Sequence, residues 1–459
     1  MKNIKRIFVC LGLIVWGICV SFGQIVSSNQ TEIDIWKTGI AREVITPETS
    51  VWMAGYSSRT APSQGKLHDL WAKALALEDA RGNRSLLITM DLLNISADFS
   101  NLLKEQIGRK HGLEKSQIIF SASHTHSGPV ITRSLKYIYP MDAAQWVVVD
   151  QYTGWLEAKL LRLADHAIEQ MQPSLIYTGN GIARFQVNRR NNKENLLTST
   201  TVLNGPNDYA VPVIKIETLD HQLKAVVFGY ACHPTVLSGD QFCGDYPGFA
   251  QIELEKIYPG VTAMFFQGGG ADQNPLPRRA VSLAVQYGKQ LAAAVEQVLS
   301  EKMVKQTAEL RTNYREIALP LEDPISMKEM EKMTQGNDYH ARWAKGMLED
   351  YKRNGSLIHS YPYPIAYWKI GNQSLFALGG ELVIAYPVKL KELFGQDIFV
   401  MGYANDVMSY IPSVIIHEEG GYEGNDAHYV YGLPAKWDKQ VESLIINNCK
   451  SLIDETNGE

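Results

Sequence analysis

Residues 116–129 read Ser116-Gln117-Ile118-Ile119-Phe120-Ser121-Ala122-Ser123-His124-Thr125-His126-Ser127-Gly128-Pro129. The apolar run Ile118-Ile119-Phe120 suits a buried strand, and the Ser, Gly and Pro that follow end it. Residues two apart on a strand face the same side, so His124 and His126 can reach one point. In open α/β sheets ligands bind beyond the carboxyl ends of strands, where this motif falls. Two imidazoles there suit a metal ion; a pair of hydrogen-bonded structural histidines is the plainer alternative.

Working outward, strands and helices alternate. Strand-like runs fall at residues 85–93, 211–216, 225–230, 261–266 and 397–402, with a hairpin over 365–382 turning at Gly371-Asn372. Helical patterns fall at 144–172, from 280 onward, across the Met-rich surface segment 326–354, and at 434–454. Interleaving of this kind predicts an α/β fold, with a mixed β-sheet core, surrounding helices and the metal site at strand ends. No loose stretch divides the chain.

Composition narrows the function. The 459 residues are 45% hydrophobic with a net charge of −5, an ordinary soluble balance and not the basic face of a nucleic-acid binder. Lys2, Lys5 and Arg6 precede an apolar run ending at Ser21-Phe22-Gly23, so residues 1–23 read as a secretory signal peptide and Gln24 as the mature start. An exported protein, periplasmic or secreted, with no transmembrane anchor after cleavage is the expectation. Of its five cysteines, Cys232, Cys243 and Cys449 would remain. That odd, irregular set is no disulfide framework; Cys232 and Cys243 could pair, but buried free thiols are the simpler reading.

Four further segments carry polar residues at strand-end positions. Tyr230-Ala231-Cys232-His233-Pro234-Thr235 repeats the pattern of strand, then His, then turn, and His233 can join His124 on one ion. Residues 265–275 run through Gly268-Gly269-Gly270 to Asp272 and Asn274, without the Lys-Ser/Thr of a phosphate loop. Glu381 lies among apolar residues, where a carboxylate is costly unless paired with a cation; an exposed strand-end Glu is the alternative. Tyr410 closes the loop 402–410, and a packed aromatic is its default reading.

In this order the segments resemble the neutral, non-lysosomal ceramidase family. The likeness rests on residues 39–47 with Met53-Ala54-Gly55-Tyr56, on His68-Asp69-Leu70-Trp71-Ala72-Lys73-Ala74, and on Ser123 through Pro129. It continues through Asn188-Arg189, His233-Pro234-Thr235, Glu381, the loop from Asn405 to Tyr410, and Tyr422-Glu423-Gly424. The match is collinear over roughly residues 37–433, and residues 37–459 are expected to form the catalytic domain. The family's C-terminal β-sandwich is not expected within this sequence, and Asn274 stands where the family has a Ser.

The resemblance implies Zn2+ held by His124, His233, Glu381 and Tyr410, with His126 and Arg189 facing the substrate carbonyl. The implied activity is hydrolysis of an amide (acyl) bond by metal-activated water, on a small-molecule or lipid substrate, ceramide-like in the family. Asp272 would orient or deprotonate the water, His126 would protonate the leaving amine, and Asn274 would position the substrate. Three other readings stand beside it. One is the same fold acting on a non-ceramide substrate. Another is a two-metal phosphoesterase built on Asp91, His124, His233 and Asp245. The last is a binding protein without catalysis.

Overall fold

The computed structural model describes residues 35–132 and 134–458. The expected signal peptide lies outside these residues. Strands β1 (Trp36–Val44), β2 (Trp71–Glu78), β3 (Arg84–Met90), β4 (Ile118–Ala122) and β5 (Gln172–Ile182) come first. Then follow β6 (Gln186–Asn188), β7 (Ala210–Thr218), β8 (Leu223–Tyr230), β9 (Thr262–Gln267), β10 (Gln273–Pro275) and β11 (Val304–Lys305). The main sheet has the order β4-β3-β2-β1-β5-β7-β8-β9, with β11 pairing β5. Its inner pairs are antiparallel, while β3–β4 and β8–β9 are parallel. Parallel neighbours need a crossover. Helices Ala97–His111 and Asp245–Ile257 supply the two crossovers, so the sheet is mixed and a βαβ unit closes each end.

A second sheet follows: β12 (Leu310–Pro320), β13 (Ser360–Ile370), β14 (Gln373–Leu378), β15 (Glu381–Leu382), β16 (Phe399–Met401) and β17 (Tyr410–Ile411), ordered β12-β13-β14-β16 with β15 and β17 paired separately. Side-chain alternation stacks the two sheets. On β8, Val226 and Phe228 face the helices, while Ala225 and Val227 face the second sheet. On β13, Ala366, Trp368 and Ile370 meet those residues, and Tyr363, Ile365 and Tyr367 turn to an outer layer holding the helices Ala385–Phe394 and Val441–Asn457. The result is four layers, helix–sheet–sheet–helix, with strands such as β8, β9 and β14 buried on both faces.

The long helix Ala143–Glu169, the helix Val281–Ser300 and the hairpin at Gly371 follow the sequence expectation. The closing helix starts later than expected, at Val441; Trp437 before it bridges in extended form to Leu321. The Met-rich segment forms two helices, Met327–Met333 and Tyr339–Asn354. They are not surface decoration: Met330, Trp343 and Met347 are buried with Tyr137 in a small core of their own. Cys232, Cys243 and Cys449 are free and buried. Among the described residues, no helix is long and apolar enough to cross a membrane.

Candidate metal centre

The βαβ unit of β3 and β4 delivers His124 and His126, and that of β8 and β9 delivers His233. His124 sits two residues past β4 and His233 three past β8. His124 takes a left-handed backbone, φ 63°, held by its N–H to Leu92 O at 2.9 Å. That conformation is uncommon for a residue with a Cβ and marks a constrained site. Glu381 and Tyr410 come from the two-stranded β15–β17 pair beside the second sheet. They are register partners on β15 and β17, so their side chains leave adjacent strands together. Gly380, φ 73°, makes the turn into β15, and a Cβ there would clash with the Ile411 side chain. The segment Gly402–Asn405 wedges between the edges of the main sheet. Gly402 N–H donates to Gln267 O, Ala122 N–H to Tyr403 O, and Asn405 N–H to Phe120 O, at 2.9, 3.2 and 2.8 Å.

The donor atoms converge. His124 Nε2 lies 3.2 Å from both His233 Nε2 and His126 Nε2. Glu381 Oε2 is 3.1 Å from His124 Nε2 and 3.2 Å from His233 Nε2. Tyr410 OH is 3.4 Å from His233 Nε2. Four donors around a metal with bonds of about 2.0–2.1 Å stand roughly 3.3–3.4 Å apart, so the spacing fits one ion. His124, His126 and His233 form a group able to hold a metal.

The tautomers carry this further. Nδ1 of His124 donates to Leu93 O at 2.7 Å, and Nδ1 of His233 to Gly270 O at 3.1 Å. A neutral ring with its proton on Nδ1 has a bare lone pair on Nε2. Two bare nitrogens and a carboxylate oxygen therefore face one point in a buried site. A positive charge at that point, a metal ion or an added proton, resolves the arrangement. Burial pushes His233 down to about 4, so the ring is in its ligating form at neutral pH. Tyr403 OH donates to Glu381 Oε2 at 3.4 Å and Tyr431 OH to Oε1.

His126 differs from the other two. It is part-exposed, its Nδ1 is buried with no partner, and its Nε2 faces the convergence point. Burial, then His124 and His233, hold it well below the usual imidazole range. Gly55 lies against its ring; a Cβ there would sit 2.6 Å from Nδ1. Arg189 follows β6. Its Nη2 donates to Tyr410 OH at 3.1 Å and its Nε to Glu423 Oε1 at 2.7 Å. Burial works against its charge, but Tyr410 and Glu423 outweigh it and raise its pKa. Burial lifts Tyr410 well above its ordinary value despite that guanidinium.

Asp272 is beside the cluster, not in it. Its Oδ1 accepts from Ile384 N–H at 2.8 Å and its Oδ2 from Asn188 Nδ2 at 3.0 Å. With its backbone O bound by Arg189 N–H, it ties the Arg189 turn to the segment after Glu381. Asn274 on β10 is buried, and its Oδ1 has no partner. The acids of a two-metal site are elsewhere: Asp91 accepts from Trp71 N–H and Gln251, Asp245 from Val236, Leu237 and Tyr246 N–H. Neither joins the histidines among the described residues. Tyr403, Tyr431 and Glu423 were not singled out as site residues from sequence; Tyr422-Glu423-Gly424 was the one signal.

The profile described as neutral/alkaline non-lysosomal ceramidase, N-terminal, matches residues 36–275, over half of the chain. The chain belongs to that family. The matched span holds every histidine of the cluster, Arg189, Asp272 and Asn274, and ends before Glu381 and Tyr410. Two solved structures share the fold. One is the neutral ceramidase from Pseudomonas aeruginosa, 18% identical with a TM-score of 0.69, covering 90% of this chain and 72% of that one. The other is a ceramidase complexed with C2, 16% identical with a TM-score of 0.68, covering 90% and 73%.

Proposed function

We propose that the protein is a zinc-dependent, ceramidase-like hydrolase of an amide bond. The observation that carries this is the meeting of two anchored, lone-pair-bearing histidines and a carboxylate at one buried point. His124, His233, Glu381 and Tyr410 would hold the ion. Bound there, zinc supplies Lewis-acid polarisation of the acyl carbonyl and lowers the pKa of a bound water. Arg189, kept charged by Glu423, offers its guanidinium to the acyl oxygen as negative charge develops. His126, the one ring without a backbone anchor, carries a proton at Nε2 to the leaving nitrogen. Asp272 acts as a brace that fixes Arg189 against the Glu381 strand, in place of the water-orienting role expected from sequence. Asn274, with an unpaired amide oxygen where the family has a Ser, favours a substrate other than ceramide itself.

Metal analysis and a hydrolysis screen over acyl amides, ceramide included, test the reading together. Wild type should carry close to one zinc per chain and cleave at least one amide. His124→Ala should lose most of the metal, and turnover should fall by roughly a hundredfold or more. Zinc content unchanged in both His124→Ala and His233→Ala would rule the assignment out.

A further inference from the structure

Four arginines around the centre are matched by carboxylates. Arg59 pairs with Asp240, Arg189 with Glu423, Arg190 with Glu419 and Glu423, and Arg278 with Glu194. Arg279 is not. Among the described residues its guanidinium has no carboxylate partner; Nη1 bonds to Tyr56 OH at 3.1 Å and Thr235 O at 3.5 Å. It is exposed, yet its backbone is fixed. Its φ is 86°, a left-handed conformation disfavoured for a residue with a Cβ, and its N–H donates to Val236 O at 2.7 Å. The Tyr56 hydroxyl that holds it is itself fixed, donating to Leu237 O at 2.9 Å.

Tyr56 links this charge to the centre. Its ring lies 4.9 Å from that of His126, centroid to centroid. His124, His233, Glu381 and Tyr410 are all 3% exposed or less, while His126 and Tyr56 are part-exposed. His126 and Tyr56 are thus the part-exposed residues beside the buried donors, and Arg279, bonded to Tyr56, is exposed beyond them. One phenol and one imidazole separate it from the convergence point.

We propose that Arg279 is a specificity residue that reads a carboxylate on the amine half of the substrate, so that the preferred substrate class is an N-acyl amino acid. This rests on the amide-hydrolase reading above, in which His126 serves the leaving nitrogen and Arg189 the acyl oxygen. The amine half then lies on the His126 side, toward Tyr56 and Arg279. Water gives its oxygen to the acyl carbon, the C–N bond breaks, and the amine takes the proton, releasing a carboxylic acid and a free amino acid. An unpaired guanidinium gains from a carboxylate and nothing from a neutral sphingoid hydroxyl of the same reach.

The test is calorimetric binding of N-dodecanoylglycine and its uncharged counterpart N-dodecanoylglycinamide to zinc-loaded wild type, Arg279→Gln and Tyr56→Phe. Wild type should bind the carboxylate about tenfold tighter or more, the scale of one charge-assisted hydrogen bond. Arg279→Gln should bring the two ligands within about twofold, and Tyr56→Phe should fall between, with zinc content unchanged in both. Equal affinities in wild type, or a carboxylate preference that survives Arg279→Gln because the ion alone accounts for it, overturns the proposal. Turnover of the same pair and of ceramide is read separately. If nothing is cleaved, the hydrolase reading fails, while the binding preference still decides the role of Arg279.

Discussion

The three histidines of the centre share a residue type and differ in what holds them. His124 and His233 are each fixed by a backbone carbonyl on Nδ1, which turns a flexible imidazole into a directed ligand. His126 has no such anchor, which suits a group that must gain and lose a proton. Asn274 stands where the resemblance implies a Ser. Its buried amide oxygen makes no bond, a cost of about 1–3 kcal/mol unless a ligand satisfies it. Asn274→Ser removes that orphan and restores the family's residue. The variant should be no less stable than wild type and keep its zinc. Its kcat/KM ratio for ceramide over the best non-ceramide amide should rise about tenfold or more. A ratio that stays put, with wild type already cleaving ceramide well, would show that this position does not set specificity.

At the scale of elements, the loop from Tyr403 to Tyr410 carries a second titratable load. Asp406 is buried behind the centre; its Oδ2 accepts from Tyr361 OH at 3.0 Å, and its backbone O accepts from Gly380 N–H at 2.7 Å. Burial pushes its carboxyl up to about 7, against an unfolded value of about 3.9. The folded state thus holds a proton that the unfolded state releases. The protein is favoured by this group below about pH 4, and the advantage drains away as pH rises to about 7. Asp406→Asn keeps an acceptor for Tyr361 and removes the titration. Urea unfolding should find it more stable than wild type at pH 8, by a few kcal/mol at most, with the gap narrowing toward pH 4.5. A constant difference at both pH values would remove Asp406 as the titrating group. The elements also show what the sequence could reveal. Short apolar runs ending in His, as at β4 and β8, were legible because strand, turn and ligand are contiguous. Glu381 was legible only through the resemblance, because the hydroxyls of Tyr403 and Tyr431 reach it from distant segments. The strand β12, Leu-Arg-Thr-Asn-Tyr-Arg-Glu-Ile-Ala-Leu-Pro, was missed, since its polar, part-exposed side chains blur the alternation. The stacking of two sheets left no periodic trace, because strands buried on both faces read as continuous apolar runs.

Across the whole molecule, the centre lies on the seam between the two sheets. His124, His126 and His233 follow strands of the first, and Glu381 and Tyr410 stand on the β15–β17 pair beside the second, so an ion held by them adds a further tie to layers joined by packing and by the backbone hydrogen bonds of Gly402–Asn405. Binding to the folded state alone stabilises it, by about 4 kcal/mol when free metal is a thousandfold above its dissociation constant. Chelation should therefore lower the unfolding temperature of the zinc-loaded wild type by several degrees. Glu381→Gln separates the ion's contribution from the protein's own. The amide oxygen can still accept from Tyr431, while the amide N–H2 now donates toward the bare nitrogens of His124 and His233, 3.1 and 3.2 Å from the present carboxylate oxygen. The variant should bind little zinc and show no chelator effect. Without metal it should unfold at or above the temperature of metal-free wild type, because three facing acceptors have become two acceptors and a donor. A metal-free Glu381→Gln that melts clearly below metal-free wild type would mean that Glu381 pairs with a proton already on the histidines, and the case for a cation at this point would fall with it.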